Sequence, residues 1–317
     1  MLALIAMMLE HEENDMVGYQ AYFNGEWMSE GEVMISPSDR GFTVGDLVFE
    51  VERTFNGKPF RLKEHIERLY RSLTYVRMDA GLTADEMTAI TEEAVERAKV
   101  DHPEVTDFWM RQIVTRGTVD LFDPPDPTVL VQVGEQGFWY ADLYDTGLHG
   151  VISKTRAYSP QALDPKIKHY SRMNFVLAHQ EAHDVEPDAW PILLDDRGFL
   201  AEGNGQNVFV VTDGVIRTPT DYAALQGVSR GMAIDLTRQL DIPLVEEDLQ
   251  PYDLYTADEA FWTTTSMCVM PMTQVDRRPI GDGKPGPMSQ RLLAAWSEAV
   301  GIDIVGQAQG HMSAVAS

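Results

Sequence analysis

The sequence predicts an α+β protein built as two domains. Its 317 residues are enough to bury more than one core. The front half pairs short β-type runs across Asn-Gly hairpin turns, at Asn24-Gly25 and Asn56-Gly57. The back half sets β-branched runs, broken by glycines, beside helical patterns. The expected partition is a smaller N-terminal α+β domain over residues 17–140 and a linker at 141–150, where the pattern loosens. A larger C-terminal domain over 151–305 and a disordered tail at 306–317 complete it.

Residues 19–27 read as a strand running into the first hairpin, 32–36 as a second short strand and 37–41 as a loop. Residues 46–55 are mostly apolar and β-branched, hence a strand ending in the second hairpin. A helix beginning near Lys63 carries Ile66, Leu69, Leu73 and Val76. Thr83 and Glu86 have the spacing of a capping box and open a helix to about Lys99. Strands follow at 108–115, with Trp109, Arg111 and Ile113 on one face, and at 129–133.

In the back half, strands are expected at 151–153, 191–194, 199–211 with a break at Gly203 and Gly205, and 215–218. A helix after Gly227 carries Met232, Ile234, Leu236 and Leu240. A strand from Glu259 enters the polar run to Ser266, and a last helix runs from Met288 to about Val300.

The formal charge is −25. That excludes the basic patches nucleic acid selects and opposes an anionic membrane surface. No apolar run approaches the roughly 20 residues needed to span a bilayer. The apolar start, Met1 to Leu9, lacks a basic region and is followed by Glu10, Glu12, Glu13 and Asp15, so it does not read as a signal peptide. A misassigned start, or an arm docked on a partner subunit, is expected instead. The single cysteine, Cys268, excludes an internal disulfide and fits a cytoplasmic protein.

Two lysines, Lys166 and Lys168, stand between the Asp164-Pro165 turn and a helix carrying Met173, Val176, Leu177 and Ala178. A lysine held by apolar neighbours tends toward the neutral amine, which attacks carbonyls. The ordinary alternative is a pair of solvated surface lysines. Val228-Ser229 opens a helix, where free N–H groups and the dipole favour an anion. The hydroxyl-rich run from Thr263 to Ser266 and the planar fork of Arg68 are further phosphate candidates. Glu202 lies on a strand expected to be buried, where a carboxylate needs a partner such as a protonated ring nitrogen or an arginine. His179 and His183 lie one turn apart without an evident third ligand, so no metal is expected. The Gly203/Gly205 spacing does not fit a dinucleotide loop.

Four patterns then occur in order. They are Asp39 to Glu50 (DRGFTVGDLVFE), Phe60 to Leu69 (FRLKEHIERL), Lys168 with its helix reaching Gln180-Glu181-Ala182, and Ala201 to Phe209 (AEGNGQNVF) with Leu225 to Arg230 (LQGVSR). As a set they resemble the fold-type IV pyridoxal-phosphate enzymes, over roughly Tyr19 to Trp296. That group includes branched-chain, D-amino-acid and (R)-amine transaminases and aminodeoxychorismate lyases. The resemblance implies a small N-terminal α/β sandwich domain and a larger domain with a barrel-like core. It implies pyridoxal 5′-phosphate as cofactor, Lys168 as the Schiff-base lysine and general base, and Lys166 as a bystander. Glu202 matches the carboxylate on the pyridine nitrogen, Arg68 the phosphate arginine, and Val228, Ser229, Thr264 and Thr265 the other phosphate contacts. It further implies a homodimer.

The implied reaction is ping-pong amino transfer between an amino acid or amine and a 2-oxo acid, of branched-chain type. An (R)-amine or D-amino-acid transaminase, a lyase, and a non-catalytic cofactor-binding homologue are the alternatives. Arg111 falls where branched-chain enzymes carry a carboxylate-site arginine; a solvent-facing strand arginine is the other reading. Trp109 and Val44 replace tyrosines of that subfamily, and Phe49 and Ser266 complete the expected substrate pocket. Leu121 and Asp123 stand near the places where D-amino-acid aminotransferases use Arg and His. Ser171-Arg172-Met173 departs from the usual branched-chain pattern after the lysine.

Overall fold

The computed structural model describes residues 18–119, 123 and 126–315. The apolar start and Leu121 lie outside the described residues. The chain divides into two compact units. The first comprises Met1–Gln136 with Ile167–Ser171, and the second Gly137–Lys166 with Arg172–Ser317.

The first unit holds strands β1 (Gln20–Phe23), β2 (Glu26–Ser29), β3 (Leu47–Phe55), β4 (Lys58–Pro59), β5 (Phe108–Thr115) and β6 (Thr128–Glu135). They form one sheet in the order β2-β1-β6-β5-β3-β4, every pair antiparallel. Both Asn-Gly turns close hairpins as read, with positive φ at Asn24 (47°) and Gly25 (98°) and at Asn56 (52°) and Gly57 (64°). Helix α1 is Arg40–Val44, α2 is Leu62–Val76 and α3 is Ala84–Asp101. Helix α2 packs on β3, and α3 packs on β1, β5 and β6. The capping box at Thr83 and Glu86 is present, with Thr83 N–H 2.7 Å from the Glu86 carboxylate.

Strand β5 alternates as expected: Phe108, Met110, Gln112 and Val114 are buried, while Trp109, Arg111 and Ile113 are half-buried. The strand read at 32–36 is not formed. A single 3-10 turn at Glu30–Glu32 takes its place, because Glu30 N–H bonds back to the Tyr19 carbonyl at 2.9 Å. Part of the loop read at 37–41 is the start of α1, whose N-cap, Asp39, accepts from Gly41 N–H at 2.6 Å.

In the second unit the strands are β7 (Leu148–Ile152), β8 (Trp190–Leu194), β9 (Leu200–Gly203), β10 (Asn207–Thr212), β11 (Val215–Thr218), β12 (Leu244–Glu246), β13 (Glu259–Thr264), β14 (Cys268–Val275) and β15 (Arg278–Pro279). The path β10-β13-β14-β7-β8-β9 returns to β10 and closes a six-stranded barrel. Closure satisfies the backbone groups that an open sheet leaves at its edges. Phe209 and Phe261 stack across β10 and β13 at 4.9 Å, and Trp262 is fully buried.

The helices of this unit are α4 (Leu143–Thr146), α5 (Met173–Val185), α6 (Val228–Gln239), α7 (Pro251–Tyr255), α8 (Pro287–Val300) and α9 (Ile304–Val315). The second unit corrects three expectations. Residues 141–150 are no linker: they hold α4 and the start of β7. The buried Tyr140 and Tyr144 anchor that stretch by donating to the carbonyls of Ser266 and Met267 at 2.6 and 2.9 Å. The disordered tail is a helix to Val315, seated by the buried Ile304 and Ala308. Strand β14 was not read because Pro271 interrupts its apolar run; it pairs with β13, and β7 joins only from Met272.

Candidate active site

Strand β3 is the floor of the first unit's polar interior. Glu50 and Glu52 lie two residues apart, so both point to one face, and both are fully buried. Helix α2 covers that face and brings His65 and Arg68, three residues apart on one helical stripe. Arg68 donates Nε to Glu50 Oε1 at 2.6 Å and Nη2 to Glu50 Oε2 at 2.7 Å. His65 Nδ1 lies 2.9 Å from the same Oε2, so its proton sits on Nδ1 facing the carboxylate. Gln112, the partner of Glu50 across β5, donates Nε2 to Glu52 Oε1 and to Thr91 Oγ1. Glu52 Oε2 has no hydrogen-bond partner.

These surroundings drive the two carboxyls apart. Burial works to raise both. At Glu50 the charge and fork of Arg68, with His65, outweigh burial and hold the carboxyl well below the usual range. At Glu52 burial wins, helped by the negative charge of Glu50 and opposed by the Gln112 hydrogen bond, and the carboxyl is pushed up to about 8. Burial also lowers His65 against the pull of Glu50. The ligand-type atoms of Glu50, Glu52 and His65 lie within 4.8 Å of one another. Arg68 already supplies the cation, so the cluster reads as a charge network rather than a metal seat.

Lys168 belongs to this unit. Its carbonyl accepts from Phe49 N–H at 3.0 Å, and His169 bridges Val48 in antiparallel fashion. Tyr170 stacks on Phe49 with centroids 3.8 Å apart, and Lys168 Nζ stands 4.6 Å from the Phe49 ring centroid. The amine is therefore held over an aromatic face on a paired segment, and its charge is felt at Glu52 and His65. Lys166, on the second unit, is tied instead to Asp164 at 3.0 Å. The two lysines thus have different surroundings.

Of the expected substrate residues, Phe49 is buried and Val44, at the end of α1, is 61% exposed. Trp109 and Arg111 share the half-buried face of β5. Arg111 donates Nε to Gln132 at 3.0 Å, and its guanidinium lies 5.1 Å from the Trp109 centroid.

In the second unit, Glu202 is buried on β9 opposite Asn207 and accepts from Leu225 N–H at 3.1 Å. Helix α6 starts at Val228 without a side-chain cap, and Ser229 is buried in its first turn. Gly227, the N-cap, leaves room for the Asn207 side chain: a Cβ there would stand 2.1 Å from Asn207 Oδ1 and force it to move. An uncapped N-terminus of a twelve-residue helix and a buried carboxylate fit an anionic group and a protonated nitrogen. Thr264, Thr265 and Ser266 are half-buried where β13 ends. His183 donates Nδ1 to the Pro187 carbonyl at 2.6 Å, and Arg172 lies over the Phe175 ring and donates to Asn204.

Sequence reasoning missed Glu50, Glu52, His65 and Gln112 as a group. One signal was available: charged residues at every second position of an otherwise apolar strand contradict a buried strand unless something pairs with them.

A family model described as amino-transferase class IV matches residues 47–275. A putative branched-chain-amino-acid aminotransferase of Methanocaldococcus jannaschii is 35% identical over 283 residues, covering 87% of this chain and 95% of the relative. The D-alanine aminotransferase of Staphylococcus haemolyticus is 29% identical over 283 residues, covering 89% and 98%. Among solved structures, a branched-chain amino acid aminotransferase with pyridoxamine 5′-phosphate superposes with a TM-score of 0.83 at 29% identity, over 89% of this chain and 94% of that one. The branched-chain amino acid aminotransferase of Escherichia coli superposes with a TM-score of 0.78 at 26% identity, over 88% and 93%.

Proposed function

The chain belongs to the class IV aminotransferases, and from that premise we propose that its amino donors are branched-chain L-amino acids and its acceptors 2-oxo acids. Enzymes of this class use pyridoxal 5′-phosphate. The observation that carries the proposal is Lys168, paired along β3 with its amine over the Phe49 ring.

The residue roles are part of the same reading. When bound, the cofactor supplies an electron sink for negative charge at the substrate Cα. Lys168 would hold it through the side-chain amine and would carry a proton between the substrate Cα and C4′. On the second unit, Glu202 would accept a hydrogen bond from a protonated ring nitrogen and favour its protonated form. Val228 and Ser229 offer backbone N–H groups to a phosphate, and Thr264 and Thr265 offer hydroxyls and amides. Arg68, on the first unit, offers its guanidinium to the same kind of group. Arg111 pairs with the substrate carboxylate, and Phe49, Val44, Trp109 and Ser266 shape the side-chain pocket.

A D-amino-acid specificity is the second reading, favoured by the similarity to the D-alanine aminotransferase. The exposed apolar residues Met34, Ile35, Phe42 and Val44 support a homodimer. A cytoplasmic location belongs to the same proposal; among the described residues no helix is long and apolar enough to cross a membrane.

A donor panel tests it: L-leucine, D-alanine, L-glutamate and (R)-1-phenylethylamine are each offered to the holoenzyme with 2-oxoglutarate or pyruvate, and keto product is measured. L-Leucine should turn over fastest among the first two and the amine. Faster turnover of D-alanine would move the donor class to D-amino acids, and no amino transfer from any donor would sink the proposal.

A further inference from the structure

We infer that Glu50 is a positioning residue for anion recognition: it fixes the direction of the Arg68 guanidinium, and His65 braces Glu50 in turn. This rests on the reading above that Arg68 meets the cofactor phosphate.

The geometry carries it. A free arginine side chain has rotamer entropy that must be lost when the fork is used. Here that cost falls during folding. Two parallel bonds, Nε to Oε1 at 2.6 Å and Nη2 to Oε2 at 2.7 Å, lock both the plane and the rotation of the guanidinium. A single contact would leave the plane free to turn. Glu50 is itself immobile: it sits within a nine-residue strand, fully buried, with His65 Nδ1 2.9 Å from Oε2. The arginine therefore reaches any anion already aimed, with one edge committed to Glu50.

The neighbouring carboxyl makes this arrangement selective. Glu52 lies on the same face, yet Arg68 directs Nε and Nη2 to Glu50. Gln112 holds Glu52 Oε1, and Thr91 holds Gln112 in turn, so the pairing cannot slide along the strand.

The experiment compares two ligands that differ only in the phosphate, pyridoxal 5′-phosphate and pyridoxal. Their dissociation constants for the apoprotein are read from quenching of tryptophan fluorescence, with near-ultraviolet circular dichroism as the check on folding. The ratio of the two constants is the readout, and a merely structural role would not move it. Glu50→Gln keeps the volume but sets an amide against the fork. It should lower the preference for the phosphorylated ligand by about tenfold, with pyridoxal affinity unchanged within about twofold. Glu50→Asp, which retracts the carboxylate by one methylene, should lower the preference by a smaller factor.

An unchanged ratio in Glu50→Gln, or an equal loss for both ligands, overturns the inference. If Glu50→Gln does not fold, Glu50→Asp decides on the same ratio, and an unchanged ratio there overturns it. Arg68→Lys separates the two levels: a ratio that Arg68→Lys leaves intact sinks the assignment of Arg68 to the phosphate, whatever the Glu50 variants do.

Discussion

Glu50 and Glu52 stand two residues apart on one buried face of one strand, yet they hold opposite charge states near neutral pH. Glu50 is ionised because Arg68 and His65 both face it. Glu52 is neutral because burial disfavours its charge and Glu50 beside it is already negative, which together outweigh the Gln112 hydrogen bond. One strand thus carries a charge and a stored proton side by side.

That proton makes stability depend on pH. The carboxyl of Glu52 is raised from 4.5 to about 8, so the folded protein binds more protons than the unfolded chain between those values. Its stabilising share is complete below the unfolded pKa and is lost as pH rises through the folded one. Glu52→Gln mimics the protonated acid and should remove this slope. Urea midpoints at about pH 6 and about pH 9 should fall for the wild type and fall distinctly less for the variant. Parallel slopes would count against a neutral Glu52. Glu50 has the opposite sign: its share is present at neutral pH and disappears in acid, as pH falls through its depressed pKa.

The two lysines of the 166–168 stretch should separate cleanly. Lys168→Ala is expected to lower kcat/KM by on the order of a thousandfold or more if, as proposed, Lys168 carries the proton. Lys166→Ala loses an ion pair to Asp164 that is part-exposed and should stay within about twofold of wild type. Equal losses would return the choice between them to open.

Arg111→Ala should divide substrates by whether they carry a carboxylate. L-Leucine is expected to lose about a hundredfold in kcat/KM, while (R)-1-phenylethylamine, which has no carboxylate, changes by less than about threefold from its own starting rate. Uniform losses would assign Arg111 to holding Gln132 and Trp109 in place instead.

Helix α8, on the second unit, offers a separate stability test. Glu259 accepts from Met288 N–H at 3.0 Å through both oxygens and from Ser289 N–H at 3.3 Å, so a distant carboxylate caps the helix that its own N-cap, Gly286, leaves bare. Glu259→Ala should cost about 0.5–2 kcal/mol in urea unfolding, with donor preference unchanged. A variant as stable as wild type would mean water replaces the cap without loss.

Local chemistry was legible in the residues themselves, and closure only through the resemblance, which implied a barrel-like core. The Asn24-Gly25 and Asn56-Gly57 turns, the Thr83 capping box and the alternation of Trp109 and Arg111 each depend on residues a few places apart. Lys168 is told from Lys166 only by the motif register of the resemblance; their surroundings, one amine over Phe49 and the other on Asp164, are not visible in the sequence. The barrel was beyond reading from single segments, because it closes through the Glu202–Asn207 pairing and through parallel ladders with β7 at their centre. Helix α9 escaped for a different reason. Its sequence is small and weakly patterned, and Ile304 and Ala308 alone mark its buried side. The Glu50–Arg68 fork joins residues eighteen apart on a strand and a helix, where periodicity on either element says nothing of the other.

The five residues Ile167–Ser171 are stitched to a strand more than a hundred positions earlier in the chain. No single cut therefore yields two whole pieces. A fragment ending at Gln136 would leave β3 without the segment that pairs with it, and a fragment starting at Gly137 would carry Lys168 away from Phe49. The same five residues, added back to the shorter fragment as a tethered peptide, form the smallest graft that would restore the lysine to its aromatic seat.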